Sequence, residues 1–278
     1  LALAMESLQL FLPARVPSNL DWCLNSLGTL IGAGSAWVLE RFGFLDRWSR
    51  FRANWFWPDA KGSLVLLALW PIALLFPAPV PMGLGQVLER AEEALALRLQ
   101  ETPWLDWLPV RDVELQPLLP FYEVLCVSLG QLLPCLLAFS LVRHWHQKVV
   151  SWFLLSGLGL LCTALSAALT YGPTHAWGWM SSQVQMALVL AALAAWPLLW
   201  LKEKTLQVLA LVGLVLQLTL LNNASANAYF ALTLQNWEQG QFIRFHGLIQ
   251  WLGWLWPFVL LVYLMRRLSS ARPTKMNA

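Results

Sequence analysis

Long runs of apolar residues separated by short polar connections set the pattern of this chain. A helix that crosses a membrane needs about 20 mostly apolar residues. Seven segments approach that length: residues 19–39, 62–79, 119–142, 149–171, 181–201, 205–222 and 246–265. The pattern predicts an all-α, polytopic transmembrane helix bundle of about seven spans. Segment 62–79 is short and carries Pro71 and Pro77, so a kinked span is expected there. Segment 19–39 is the least apolar, because it includes Asp21 and Asn25. Two further stretches read as amphipathic. Leu84, Leu88, Ala91, Leu95 and Leu99 recur at helical spacing, with Glu89, Arg90, Glu92 and Glu93 away from them. That spacing predicts a helix lying on the outer leaflet or capping the bundle. Residues 222–245 mix Tyr229, Phe230, Trp237, Phe242 and Phe245 with Asn222, Asn223, Asn227 and Gln241. They read as an interfacial helix or a re-entrant hairpin.

Composition narrows the class. Of the 278 residues 58% are hydrophobic and 12% charged, against about 25% charged in soluble domains, and mean hydropathy is +0.58. So little charge cannot furnish the polar surface of a soluble globule, which excludes a soluble enzyme, a disordered chain and a nucleic-acid partner. Cys23, Cys126, Cys135 and Cys162 sit in apolar runs without metal-type spacing and read as buried thiols. Trp is abundant, with 18 residues against 13 Phe, as expected where hydrocarbon meets headgroups. Trp48, Trp55 and Trp57 share a basic connection and are expected to anchor a surface segment. Trp70, Trp251, Trp254 and Trp256 lie within spans and read as packing residues.

Charge placement predicts an orientation. With the connection after the first span inside, inner segments hold Arg41, Arg47, Arg50, Arg52, Lys61, Arg143, Lys148, Lys202, Lys204, Arg266, Arg267, Arg272 and Lys275. The outer ones hold Arg15, Arg90, Arg98, Arg111 and Arg244. This is the positive-inside pattern, with an external start and a cytoplasmic C-terminus.

Several polar residues are not explained by crossing a membrane. Glu6 and Gln9 are three apart and share a helix face. Pro13 breaks that element and Arg15 follows in a short outer turn. Asp21, Asn25, Gly28 and Gly32 then step by four, three and four along one face. Gly28 and Gly32 make a small-xxx-small pair for close helix packing. Glu6, Gln9, Arg15, Asp21 and Asn25 form either a polar clasp between two helices or a headgroup site, where Arg15 meets a phosphate or carboxylate. A catalytic role is the third alternative.

These same positions resemble the signature of the VanZ-like membrane proteins, approximately Glu-x-x-Gln-x-Phe-x-Pro-x-Arg followed by Asp-x-x-x-Asn-x-x-Gly-x-x-x-Gly. It falls here on Glu6, Gln9, Phe11, Pro13, Arg15, Asp21, Asn25, Gly28 and Gly32. The resemblance covers residues 1–40 as the C-terminal part of that family's domain. Residues 41–278 would be a membrane-helix extension. The chain opens on Leu1 inside an apolar run, so earlier helices of the domain are expected to precede it. The resemblance implies a cell-envelope protein of the bacterial inner membrane, related to glycopeptide resistance, with no defined reaction.

Elsewhere the signals are single residues. His144 and His146 flank a basic connection and read as interfacial. Glu123, His175 and His246 fall on the outer side, where proximity would make an acid–base group. Gln131, Gln183, Gln185 and Gln217 read as interhelical hydrogen bonds. With no nucleophile, phosphate-loop or metal motif, no catalytic residue is named and no cofactor or metal is expected. The leading expectation is binding of a membrane lipid or lipid-linked envelope intermediate. A transporter and a non-catalytic assembly partner of another membrane protein are the alternatives.

Overall fold

Without water, a backbone must satisfy its own hydrogen bonds, and apolar runs do so as helices. The computed structural model describes residues 19–78, 80–100, 102–104, 118–224 and 248–270. Among them run nine α-helices: α1 (Asn19–Arg41), α2 (Phe44–Trp55), α3 (Lys61–Ala73), α4 (Leu88–Leu99), α5 (Pro120–Phe139), α6 (Trp145–Tyr171), α7 (Ser182–Leu198), α8 (Glu203–Asn222) and α9 (Leu248–Ser269). No strand occurs among the described residues beyond an isolated bridge between Phe56 and Val142. The chain divides into two compact units, Leu1–Trp55 and Phe56–Ala278.

In the first unit α1 runs for 23 residues. It ends where Gly43 takes a left-handed φ of 65°, with Gly43 N donating to Glu40 O at 3.0 Å and Phe42 N to Val38 O at 3.0 Å. Glycine suits this position because it has no Cβ to clash. The chain then turns into α2, whose Asp46 in the first turn and Arg52 in the last complement the helix dipole.

In the second unit α5, α6, α8 and α9 are long and apolar enough to cross a membrane, whereas α3 and α7 are shorter apolar helices of 13 and 17 residues. Each of the seven expected segments thus contains a helix, and four of these have both the length and the apolarity of a span. Helix α5 is the core: nearly every residue from Val124 to Phe139 is buried, against α3, α6, α7 and α8. Pro120 at its start has a ready-made helical φ. Around this core the outward faces are apolar, with Phe153, Leu161, Val189, Leu193, Val212 and Val259 all exposed. Lipid is the solvent that such a surface requires, so the protein is membrane-embedded.

One end of this unit is held by a polar clasp. Arg267 donates to Glu203 at 2.8 Å and to the Tyr263 hydroxyl at 2.7 Å, and Ser63 bonds Tyr263. The clasp ties the start of α3 and of α8 to the end of α9. At the same end Lys148 donates to Leu199 O at 2.8 Å and Leu201 O at 3.3 Å. A cation there satisfies carbonyls that the end of α7 leaves free.

Several expectations change. In segment 62–79 the helix runs only to Ala73, and residues 74–78 and 80–87 follow as irregular chain inside the bundle. The expected amphipathic helix forms as α4, but Leu84 is buried in that irregular stretch while Leu88 and Leu95 lie exposed. Trp70 and Trp256 are buried as expected, whereas Trp251 is exposed. Cys126 and Cys135 are buried, Cys162 is half-buried and Cys23 is exposed. Gln131 and Gln217 do bond other helices, through Ser156 and Cys126 O. Gln185 bonds locally to Met180 O, and Gln183 accepts from Ser182. His144 caps α6 together with Gln147, and its ring stacks on His146. Of the expected interfacial helix or hairpin at 222–245, all but residues 222–224 lies outside the described residues.

Candidate functional site

Residues 74–78 and 80–87 form a strap that a membrane helix bundle rarely admits. Pro71, Pro77 and Pro81 each lack a backbone donor, and the prolines after Ala73 bar the helix from resuming. Irregular backbone at membrane depth is tolerated only where protein or a water-filled cavity satisfies it. Here protein groups meet several of the strap's amides and carbonyls. Gly85 N donates to Gly253 O at 3.1 Å and Gly83 N to Val80 O at 2.8 Å. Ser166 of α6 donates to Leu75 O at 2.9 Å. Asn222, the last residue of α8, does most of the pinning. Its Oδ1 accepts from Val87 N at 3.0 Å and Leu88 N at 3.1 Å, capping α4. Its Nδ2 donates to Gly85 O at 3.1 Å and Leu218 O at 2.9 Å.

The strap dips deep. Phe76, Val80, Met82 and Leu84 are all buried. The Met82 carbonyl reaches Gly130, midway along α5, so closely that a Cβ at Gly130 would stand 2.4 Å from it. Met82 itself holds a φ of 61°, a left-handed conformation that costs a non-glycine residue about 1 kcal/mol or more. Such strain persists only where surrounding contacts fix it.

Between the strap and α6 lies a cavity of about 250 Å³. Its apolar wall is Phe76, Pro77, Pro81 and Met82. The opposite wall is polar: Thr163, Ser166, Thr170 and Tyr171 of α6, with Ser181 and Trp179 from the turn before α7. Trp179 is fixed by its indole N–H, which donates to Ala176 O at 2.9 Å. From Tyr171 to Thr163 is two turns of α6, or about 12 Å of depth. Glu123 in the first turn of α5 supplies the cavity's single carboxylate. It is half-buried, and among the described residues no cation pairs with it. Ser166 and Thr170 spend their protons on Leu75 O and Ser166 O. Thr163 Oγ1 is buried with no partner among the described residues. The site therefore offers a negative acceptor near one end of the bundle and a spare hydroxyl deeper in, on an apolar background. It suits a ligand with a hydrogen-bond-donating polar head and an apolar body.

Of the residues named from sequence, Glu123 is the one placed here. His175 stands in the 3₁₀ turn Pro173–His175, where its ring bonds Thr174 at 3.0 Å, and it does not line the cavity. His246 lies outside the described residues, as do Glu6, Gln9 and Arg15. The backbone of Asp21 and Asn25 belongs to α1, and their side chains lie outside the described part. Gly28 and Gly32 face open space, so no helix packs on them among the described residues. The hydroxyl wall had a sequence signal: Thr163, Ser166 and Thr170 step by three and four, one face of an otherwise apolar span. The chain matches no family model, no curated protein and no solved structure.

Proposed function

We propose that the chain is a polytopic protein of the bacterial cytoplasmic membrane whose Glu123 cavity receives the polar head of a lipid-linked or other amphiphilic envelope ligand. One observation carries this: a carboxylate and an unpartnered hydroxyl share an apolar-walled cavity in a bundle with an apolar exterior. At about 250 Å³ the space is smaller than the roughly 300–1,000 Å³ of drug-sized pockets. It fits a headgroup, with acyl or prenyl chains left outside in the bilayer. An anionic acceptor selects donors, so an ammonium or a sugar bearing hydroxyls is favoured over a bare phosphate.

In this reading all seven segments cross the membrane, the three short or less apolar ones included. The charge distribution then puts the Glu123 end at the outer leaflet and the C-terminus in the cytoplasm. The resemblance of residues 1–40 to VanZ-like proteins supports an envelope role, and Glu6, Gln9, Arg15, Asp21 and Asn25 would add a headgroup site of their own. A transporter is the second reading. It is favoured by a broken helix, α3, whose irregular continuation lines the cavity, as in the discontinuous helices of transporter sites.

Thermal unfolding of the purified protein with added phosphatidylethanolamine, a glucosyl diacylglycerol or phosphatidylglycerol tests the first reading. We expect stabilisation by one of the first two lipids. That shift is lost in Glu123→Gln and in Ala167→Leu, which fills the space beside the hydroxyls. Equal shifts in wild type and both variants overturn the assignment. Loss in Arg15→Lys and Asp21→Asn, with the two cavity variants unaffected, moves the site to the N-terminal signature instead. Uptake of a headgroup-bearing solute into proteoliposomes, absent in Glu123→Gln, marks the transporter.

A further inference from the structure

Helix α2 carries a surface whose occupant can be identified from its chemistry. Phe44, Trp48, Phe51 and Trp55 step by four, three and four, so all four rings fall within about 60° of the helix circumference. Three of the rings form a ladder, with centroids 5.6 Å apart for Trp48 and Phe51 and 4.9 Å for Phe51 and Trp55. Phe44, Trp48 and Phe51 are exposed. Arg47 and Arg52 flank this stripe on either side, and Arg50 lies opposite with Asp46. Arg47 also sets its guanidinium over the Phe44 ring, 5.7 Å from the centroid. Just before α2, Arg41 stands over the Trp37 ring at 5.0 Å.

A 12-residue helix is marginal by itself in water. One that shows an aromatic stripe needs a surface to cover it. Rings in the middle with arginines at both borders match a bilayer interface: rings enter at headgroup depth, and guanidinium groups snorkel to phosphates. Three arginines against one aspartate make the helix cationic, which selects an anionic leaflet. Helix α4 is a contrast within the same chain. It exposes Leu88, Leu95 and Leu97, but carries Glu89, Glu92 and Glu93 against Arg90 and Arg98, so anionic lipid would repel it.

From this complementarity we infer that α2 is an in-plane membrane anchor that binds anionic phospholipid. The inference is independent of what occupies the Glu123 cavity. Hydrogen exchange of the full chain in nanodiscs tests it, comparing phosphatidylcholine alone with phosphatidylcholine mixed with phosphatidylglycerol. Amides of residues 44–55 exchange more slowly in the anionic discs, while those of α5 are the same in both. Each of Arg47→Gln and Arg52→Gln lowers the protection gained from phosphatidylglycerol roughly five-fold. Trp48→Ser with Phe51→Ser loses protection in both lipids. Equal protection of 44–55 in the two compositions overturns the proposal and leaves the stripe covered by protein. Full protection in the arginine variants also overturns it.

Discussion

At the scale of single residues, the strap makes two glycines of the same bundle behave in opposite ways. Gly130 has the Met82 carbonyl where its Cβ would stand, a backbone atom that cannot swing aside. Gly130→Ala therefore expels the strap, and we expect a loss of about 1–3 kcal/mol, read as a lower unfolding temperature in detergent. Gly157 on α6 has nothing within 4 Å of its would-be Cβ. Gly157→Ala is neutral, or stabilising by up to about 1 kcal/mol through helix propensity. Equal effects of the two substitutions would show that the strap does not touch α5. The cavity was half legible at this scale. Glu123 stands out as a charge at the edge of an apolar run, and the three-four step of Thr163, Ser166 and Thr170 is plain once sought. What no sequence pattern supplies is that residues near 80, far away along the chain, come to face them.

Among the elements, those with strong periodicity or a long apolar run formed where expected, and α5, α6, α8 and α9 follow the predicted segments closely. At 62–79 the helix is shorter than the apolar run, because a total of apolar residues hides a change of structure. Two or three prolines lower the mean hydropathy of such a run only a little, yet they removed backbone donors that a continuous helix would need. Asn222 was a second blind spot. It reads as the first polar residue of an outer loop, but it is buried at the end of α8 and caps α4. Asn222→Ala leaves two amides and two carbonyls without that partner, so we expect destabilisation of about 2–3 kcal/mol and faster hydrogen exchange at the start of α4. Asn222→Asp keeps the acceptor at the cap and loses only the donor, so protection of Leu88 survives while the unfolding temperature still falls. Identical behaviour of the two variants would place the cap elsewhere.

For the molecule as a whole, membrane residence is written in the composition and confirmed by the apolar exterior of the bundle. The number of crossings is a finer matter. Four helices meet the requirement by themselves, and α1, α3 and α7 rely on the charge pattern for their orientation. Labelling decides it. With the native cysteines replaced, Thr174→Cys and Lys202→Cys sit at opposite ends of α7 in the connections on either side of it. We expect an impermeant thiol reagent added to intact spheroplasts to modify the first and not the second, and the reverse preference in inverted vesicles. Modification of both from one side would mean that α7 does not cross.

The strap also constrains the order in which the protein can be built. Its backbone is satisfied by groups that follow it in the chain: Ser166, Asn222 and Gly253. As the ribosome delivers residues 74–87, none of these partners has yet entered the membrane. The nascent strap has to wait in a wet place, since lipid offers its amides and carbonyls nothing. Only after α8 and the start of α9 arrive can it be drawn inward. The first half of the unit is thus inserted early and finished late, and a chain halted before Gly253 holds its strap by Ser166 and Asn222 without the amide partner of Gly85.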